Sequence, residues 1–187
     1  MAAKVKFNIK NAHYAPKTQS GWGTPVAIPG AVSASLEPQG ELTPFYADGI
    51  KYYISGGNGG YEGDVEFALI PDAFRKAVLG EAEDANHVLW EDADANPVEF
   101  AFGFDVDTDD GPIKFWFYNC TASRPKVEAE TKEDTVEPKT DTVTISCAPG
   151  SDGKVRAKTT DDTTSTVLNA WYESVYEYAT SAATPSA

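Results

Sequence analysis

The chain has no apolar run approaching the roughly 18 residues needed to cross a bilayer, which excludes a membrane-spanning helix. Its start, MAAKVKFNIK, alternates charged and apolar residues and lacks the apolar stretch of a signal peptide, so the sequence predicts a soluble chain made in a reducing cytosol. Cysteine is scarce. Cys120 and Cys147 lack the CxxC spacing of a zinc site and lie in strand-like segments, which points to buried thiols and leaves a disulfide open. His13 and His87 fit neither HExxH nor a recognisable nucleophile motif, and no GxGxxG or P-loop is present. The run Asp105–Gly111 has its glycine one place late for a calcium loop and Trp116 where the bidentate glutamate belongs, so it reads as a solvated turn. Bases are also few: 15 against 29 acids give a net charge of −14, and so acidic a surface repels phosphate backbones.

What is present is period-2 alternation, the mark of strands with one buried face. The 187 residues, 41% apolar and 24% charged, suffice for one ordinary core. Residues 4–10 set Val5, Phe7 and Ile9 against lysines, and 31–37 set Val32, Ala34 and Leu36 against polar neighbours. Residues 63–70 alternate Val65, Phe67 and Leu69 with Asp64 and Glu66. Residues 98–106 alternate aromatic or aliphatic side chains with Glu99, Ala101, Gly103 and Asp105. An acidic face cannot enter a dry core. Residues 113–121 return from a turn at 107–112, and 141–147 and 154–159 flank a second turn at GSDG. Pro71-Asp72 and Gly80 bracket a short helix near 71–79, and Val167 or Leu168, Trp171, Val175 and Tyr178 predict an amphipathic helix near 165–178. The end, 179–187, reads as a loose tail.

Residues 38–62 carry two prolines, six glycines and five aromatics, Phe45, Tyr46, Tyr52, Tyr53 and Tyr61. Such a stretch reads as a long loop covered by a partner, with an ordinary hairpin of 41–46 and 50–54 as the alternative. Charge is uneven as well. The first 36 residues hold Lys4, Lys6, Lys10 and Lys17 with no acid, while eleven acids and no base lie between Lys76 and Lys114. That asymmetry suits head-to-tail contact between copies, with Lys4, Lys6 and Lys10 as the basic contact.

Taken in order, KVKFNIKNAHYA, TPVAIPGAVSASLEP, GELTPFYADGIKYY, NGGYEGDVEFALIPDAFRKAVLG and the stretch from YNCTASRPKVEAETKEDTVEP to SDGKVRAKT closely resemble the major tail proteins of long-tailed, non-contractile bacteriophages and prophages. The resemblance covers nearly the whole chain except 179–187. It implies a mainly β fold, an antiparallel β-sandwich or half-barrel of the phage tail-tube type with one short flanking helix and a C-terminal helical segment, forming a single domain over 1–178. It also implies a structural virion protein without enzymatic activity or cofactors. Six copies would form a ring, and rings would stack into a hollow tube that DNA transits without specific binding. Implied partners are other copies of the chain, a tape measure protein, and tail terminator or initiator proteins. The implied location is the virion tail, assembled in the host bacterial cytoplasm with no membrane.

Under that resemblance, residues 38–62 become the ring-stacking loop, with Phe45, Tyr46, Tyr52, Tyr53 and Tyr61 at the interface. Asp64, Glu66, Glu99, Asp105, Glu128 and Glu130 become candidates for a channel wall, at least two of their three segments facing the lumen. A carbohydrate-binding β-sandwich module, stacking its aromatics on sugars, is the competing reading.

Overall fold

A computed structural model describes residues 5–40, 42–129, 131 and 138–179. The chain runs β1 (Lys6–Thr18), β2 (Gly21–Trp22), β3 (Val26–Ala27), β4 (Ala31–Gln39), β5 (Leu42–Ala47), β6 (Ile50–Gly56) and β7 (Gly60–Phe67). Then come α1 (Asp72–Phe74), continued by a π-helical turn over Arg75–Leu79, and the small ribbon β8 (Ala82–Glu83) with β9 (Leu89–Trp90). The rest is β10 (Phe100–Thr108), β11 (Gly111–Ala122), β12 (Asp141–Cys147), β13 (Arg156–Lys158) and α2 (Ser165–Ala170). The protein is mainly β, with a large antiparallel sheet in the order β2-β1-β10-β11-β12-β7-β4; β3 pairs with β1, and β13 with β11.

Apolar residues of both halves of this sheet meet in one core: Ala12 and Tyr14 from β1, Val65 and Phe67 from β7, Phe100 and Phe102 from β10, Val143 and Ile145 from β12. Only a sheet that wraps on itself brings these together, and the Ile28 N–H bond to the Ala12 carbonyl (2.7 Å) ties the segment before β4 back to β1. The short helix is where the sequence predicts it, opened after Pro71 and closed by Gly80 at φ 77°. Its Phe74 sits edge-on to Tyr14 (5.1 Å) and Phe100 (5.6 Å).

Two sequence expectations are corrected. First, β10 is buried on both faces: Phe100 and Phe102 enter the main core, while Ala101 and Asp105, both at most 1% exposed, face the other way. The cause is the C-terminal segment. Trp171 and Val175 pack with Ala15, Ala101, Trp116 and Tyr118 into a second apolar cluster that covers this side of β10 and β11. Second, the predicted helix over 165–178 ends at Ala170. The Trp171 carbonyl accepts the Trp116 indole N–H (3.0 Å) and the Tyr176 carbonyl accepts the Tyr118 hydroxyl, so these carbonyls serve tertiary bonds instead of a helix ladder. The expected turn at GSDG is present, with the Gly153 N–H on the Gly150 carbonyl (2.9 Å), but the strands that flank it, β12 and β13, do not pair with each other. They pair successively along β11, on either side of a bulge at Asn119 (φ 47°) that shifts its register.

The N-terminal strand departs from its simple alternation too. Register shifts between Lys6 and Asn8, and between Lys10 and His13, interrupt it; Ile9, Ala12 and Tyr14 reach the core while Val5 and Phe7 stay exposed. The tail expectation for 179–187 falls, beyond Ala179, outside the described residues.

Gly103 is opposite Trp116 in the β10–β11 ladder, and a Cβ there would lie 2.7 Å from Trp116 Cε3 and 2.9 Å from the Phe115 carbonyl oxygen. Gly103→Ala should therefore lower the unfolding free energy by about 1–3 kcal/mol. Urea denaturation monitored by tryptophan fluorescence measures this, and an unchanged midpoint contradicts the tight packing of Trp116 on the strand.

Candidate functional site

Two surfaces stand out, and each is built by strand geometry. The first is the outward face of the three strands β4, β7 and β12. Register places Ser33, Glu66 and Thr142 in one row, Ser35, Asp64 and Thr144 in the next, and Glu37, Glu62 and Ser146 in the third. These nine positions hold four carboxylates and five hydroxyls and no base. The inward face of the same strands carries Val65, Phe67, Val143 and Ile145, so alternation alone forces the polar set outward. Hydroxyls hold the carboxylates in place. Ser33 donates to Glu66 Oε2 (3.0 Å), Thr140 to Glu66 Oε1 (2.5 Å), and Thr144 to Asp64 Oδ1 (2.7 Å). The Thr140 and Ser33 hydroxyls pull the Glu66 pKa below the usual carboxylate range, which keeps it ionised in mild acid.

The second surface is a hairpin. Among the described residues, strands β5 and β6 pair only with each other, in the register Phe45 opposite Tyr53 and Tyr46 opposite Lys51. Asp48 (φ 52°) and Gly49 (φ 76°) form its tip, the pair of positive φ values that a type I′ turn requires and that Asp-Gly supplies. The long-loop reading of 38–62 is thus replaced by the hairpin alternative. Phe45, Tyr46, Tyr52 and Tyr53 are each at least 60% exposed. Neighbours in a strand point to opposite faces, so both faces of the ribbon display uncovered aromatic rings.

The remaining predicted site residues do not join these surfaces. Tyr61 is half-buried, edge-on to Phe117 (5.2 Å) with the Arg156 guanidinium over its ring (5.1 Å), and belongs to the body of the sheet instead of the hairpin. Asp105 is the clearest correction. At 1% exposure it accepts hydrogen bonds from the Tyr172 hydroxyl (2.6 Å) and Asn11 (2.8 Å) and an ion pair from Lys114 (3.3 Å). Burial first, and then the Asp105 contact, push the Tyr172 hydroxyl pKa far up, so it remains a proton donor to that carboxylate. Glu99 is exposed but lies away from β7, ion-paired with Lys17. Glu128 is exposed on a stretch without strand structure. Lys10 binds Asp107 of its own chain (2.5 Å), so its charge is already paired within the molecule; Lys6 is exposed at the start of β1. Lys4 and Glu130 lie outside the described residues.

Glu37 and Glu62 join the acidic face without having been singled out in the sequence. Their signal was the alternation Ser33, Ser35, Glu37 along β4 and Glu62, Asp64, Glu66 along β7. A cleft of about 900 Å³ also opens between Trp22, Tyr118, Lys154 and Tyr178. Its aromatic faces are engaged within the chain, Trp22 beneath Lys17 (5.8 Å) and Tyr178 beneath Lys154 (4.1 Å). No family model matches the chain, and no curated protein matches it.

Carboxylates whose pKa values are held below their ordinary range include Glu66, by Thr140 and Ser33; Glu83, by Lys76 and His87; Asp84, by the Val88 N–H, the Trp90 indole and the Asn86 N–H; and Asp107, by Lys10 and Asn8. A carboxylate depressed in the folded state stabilises it above the unfolded pKa, and that contribution disappears as pH falls through the folded value. The urea midpoint should therefore hold steady at neutral pH and decline below about pH 5. Thr140→Val combined with Ser33→Ala should reduce the decline, because Glu66 then titrates nearer its unfolded value.

Proposed function

We propose that this chain is a self-assembling structural subunit of a bacteriophage tail tube, in which copies close into rings and rings stack around a channel for DNA. The observation that carries the reading is the β5–β6 hairpin, a ribbon with aromatic rings on both faces and, among the described residues, no further strand paired beside it. A two-stranded ribbon is at best marginally stable alone, and rings exposed to this extent favour burial against another molecule. The resemblance in FYADGIKYY and GYEGDVEFALIPDAFRKAVLG makes that other molecule a further copy in the adjacent ring, and it supplies the sixfold symmetry.

The acidic face of β4, β7 and β12 supports the same reading. A wall of carboxylates and hydroxyls repels a phosphate backbone and gives it no cation to hold, the property needed by a conduit that DNA crosses without binding. Asp64 and Glu66 keep their place in the proposed wall, joined by Glu37 and Glu62; Asp105 and Glu99 leave it.

Electron microscopy of concentrated purified protein tests the assembly. The native chain should form rings or tubes, and Tyr52→Ser with Tyr53→Ser should raise the concentration needed for them by more than about tenfold while circular dichroism stays native. Normal tubes from that variant would sink the stacking role of the hairpin, and a monomer that binds glycans through these tyrosines would favour the carbohydrate-binding module. For the wall, Asp64→Lys with Glu66→Lys should leave tubes intact yet slow DNA ejection at low ionic strength, with recovery as salt rises. Ejection at the native rate in low salt would remove this face from the channel.

A further inference from the structure

The sheet divides into β2-β1-β10-β11 and β12-β7-β4, and the ladder between β11 and β12 joins them. That ladder is short: Cys120 opposite Cys147, Thr121 opposite Ser146, and Ala122 opposite Ile145. Both cysteines are free thiols, at most 1% exposed, with their sulfur atoms 2.8 Å apart. The only two cysteines of the chain therefore face each other at the joint between the halves of the sheet.

Main-chain bonding fixes what kind of pair they are. Ala148 N–H bonds to the Asn119 carbonyl (3.2 Å) and Ser123 N–H to the Thr144 carbonyl (2.9 Å), so 119 with 148 and 123 with 144 occupy hydrogen-bonded positions. Alternation along an antiparallel ladder then makes Cys120 and Cys147 a non-hydrogen-bonded pair, the closer type, with Cα atoms roughly 4.5 Å apart. A disulfide closes Cα separations of roughly 4.4–6.8 Å, so the backbone needs little movement to accept one.

We propose that Cys120 and Cys147 form a latent cross-strand disulfide: a dithiol in reducing surroundings, closed by a small-molecule disulfide in oxidising ones. One protein thiol loses its proton and attacks the oxidant's S–S bond, releasing one thiol and leaving a mixed disulfide. The second protein thiol, deprotonated in turn, attacks the bound protein sulfur and displaces the other thiol. Two protein thiols are oxidised by two electrons, one small disulfide is reduced to two thiols, and the proton count balances. Burial and the neighbouring thiol push the Cys120 pKa well above its usual value, so the reaction awaits local opening of the short ladder. Once closed, the bond ties the two halves of the sheet covalently, whatever the subunit assembles into.

The test uses the full chain incubated with oxidised glutathione across sub-denaturing urea concentrations, then denatured, alkylated and weighed. The expected product has lost two hydrogens, takes up no alkylating agent, carries no glutathione, and yields a Cys120–Cys147 linked peptide on digestion. Its unfolding midpoint should rise by about 10 °C and fall back on adding a reductant. Cys120→Ala and Cys147→Ala should each abolish the shift. Two thiols still alkylated just below the unfolding transition, or a stable glutathione adduct on either one, would overturn the proposal; neither readout depends on a variant that folds.

Discussion

Asp105 is the charge around which the C-terminal segment is arranged. A carboxylate this far from water costs several kcal/mol unless it is paired and hydrogen-bonded. Tyr172, Asn11 and Lys114 supply those partners, and Tyr172 comes from the segment that buries it. The segment can lie on β10 only because Asp105 is satisfied, and Asp105 is satisfied in part because the segment lies there. His13 stacks on the Tyr172 ring at 4.0 Å and Lys114 sits over it at 4.9 Å, so the tyrosine is held on several sides. Two apolar clusters result, one inside the wrapped sheet and one beneath the C-terminal segment, with β10 and β11 between them.

The same constraint sorts the rest of the acids. Those opposite the basic first strand are neutralised within the chain, Asp107 by Lys10 and Glu99 by Lys17. Those near α1 pair with Arg75 and Lys76, through Glu81 and Glu83. On β4, β7 and β12 the chain provides hydroxyls instead of bases, so Asp64 and Glu66 are oriented without being neutralised. A hydroxyl fixes the direction of a carboxylate and leaves its charge intact; a lysine would cancel it. Strand register thus gathers Glu37, Glu62, Asp64 and Glu66 on one face whose paired positions hold no base, and that localisation gives the channel reading its physical content.

How far this was legible in the sequence differs by element. β12 was read at its true limits because DTVTISC alternates cleanly and one face alone is buried. β10 alternates as cleanly, yet its polar side was misread, because alternation reports two different faces and says nothing about what later covers each of them. The cover comes from Trp171 and Val175, about 70 residues downstream, and no local pattern announces it. Lys10 carries a related lesson. Charge asymmetry along a chain predicts attraction without saying where it is met, and β1 pairs with β10 so that Lys10 meets Asp107 in the same molecule. Bulges at Asn11 and Asn119, both at positive φ, also escape a period-2 reading, since one extra residue inverts the faces beyond it.

The hairpin shows the opposite case, where local sequence and final structure agree and the energetics remain open within the chain. Asp48-Gly49 dictates the turn, the flanking β-branched and aromatic residues suit strands, and the ribbon forms. Yet its rings gain almost nothing from the body of the protein, and cross-strand pairs such as Phe45 with Tyr53 contribute only about 0.2–1 kcal/mol each. A ribbon so weakly held has low local stability by itself, and in the proposed tube the missing free energy would come from the copy that covers its rings. Assembly and ordering of the hairpin would then be one event. The body, closed around its own two cores, has no need of that event to fold, so under this proposal the cost of ordering falls only where copies meet.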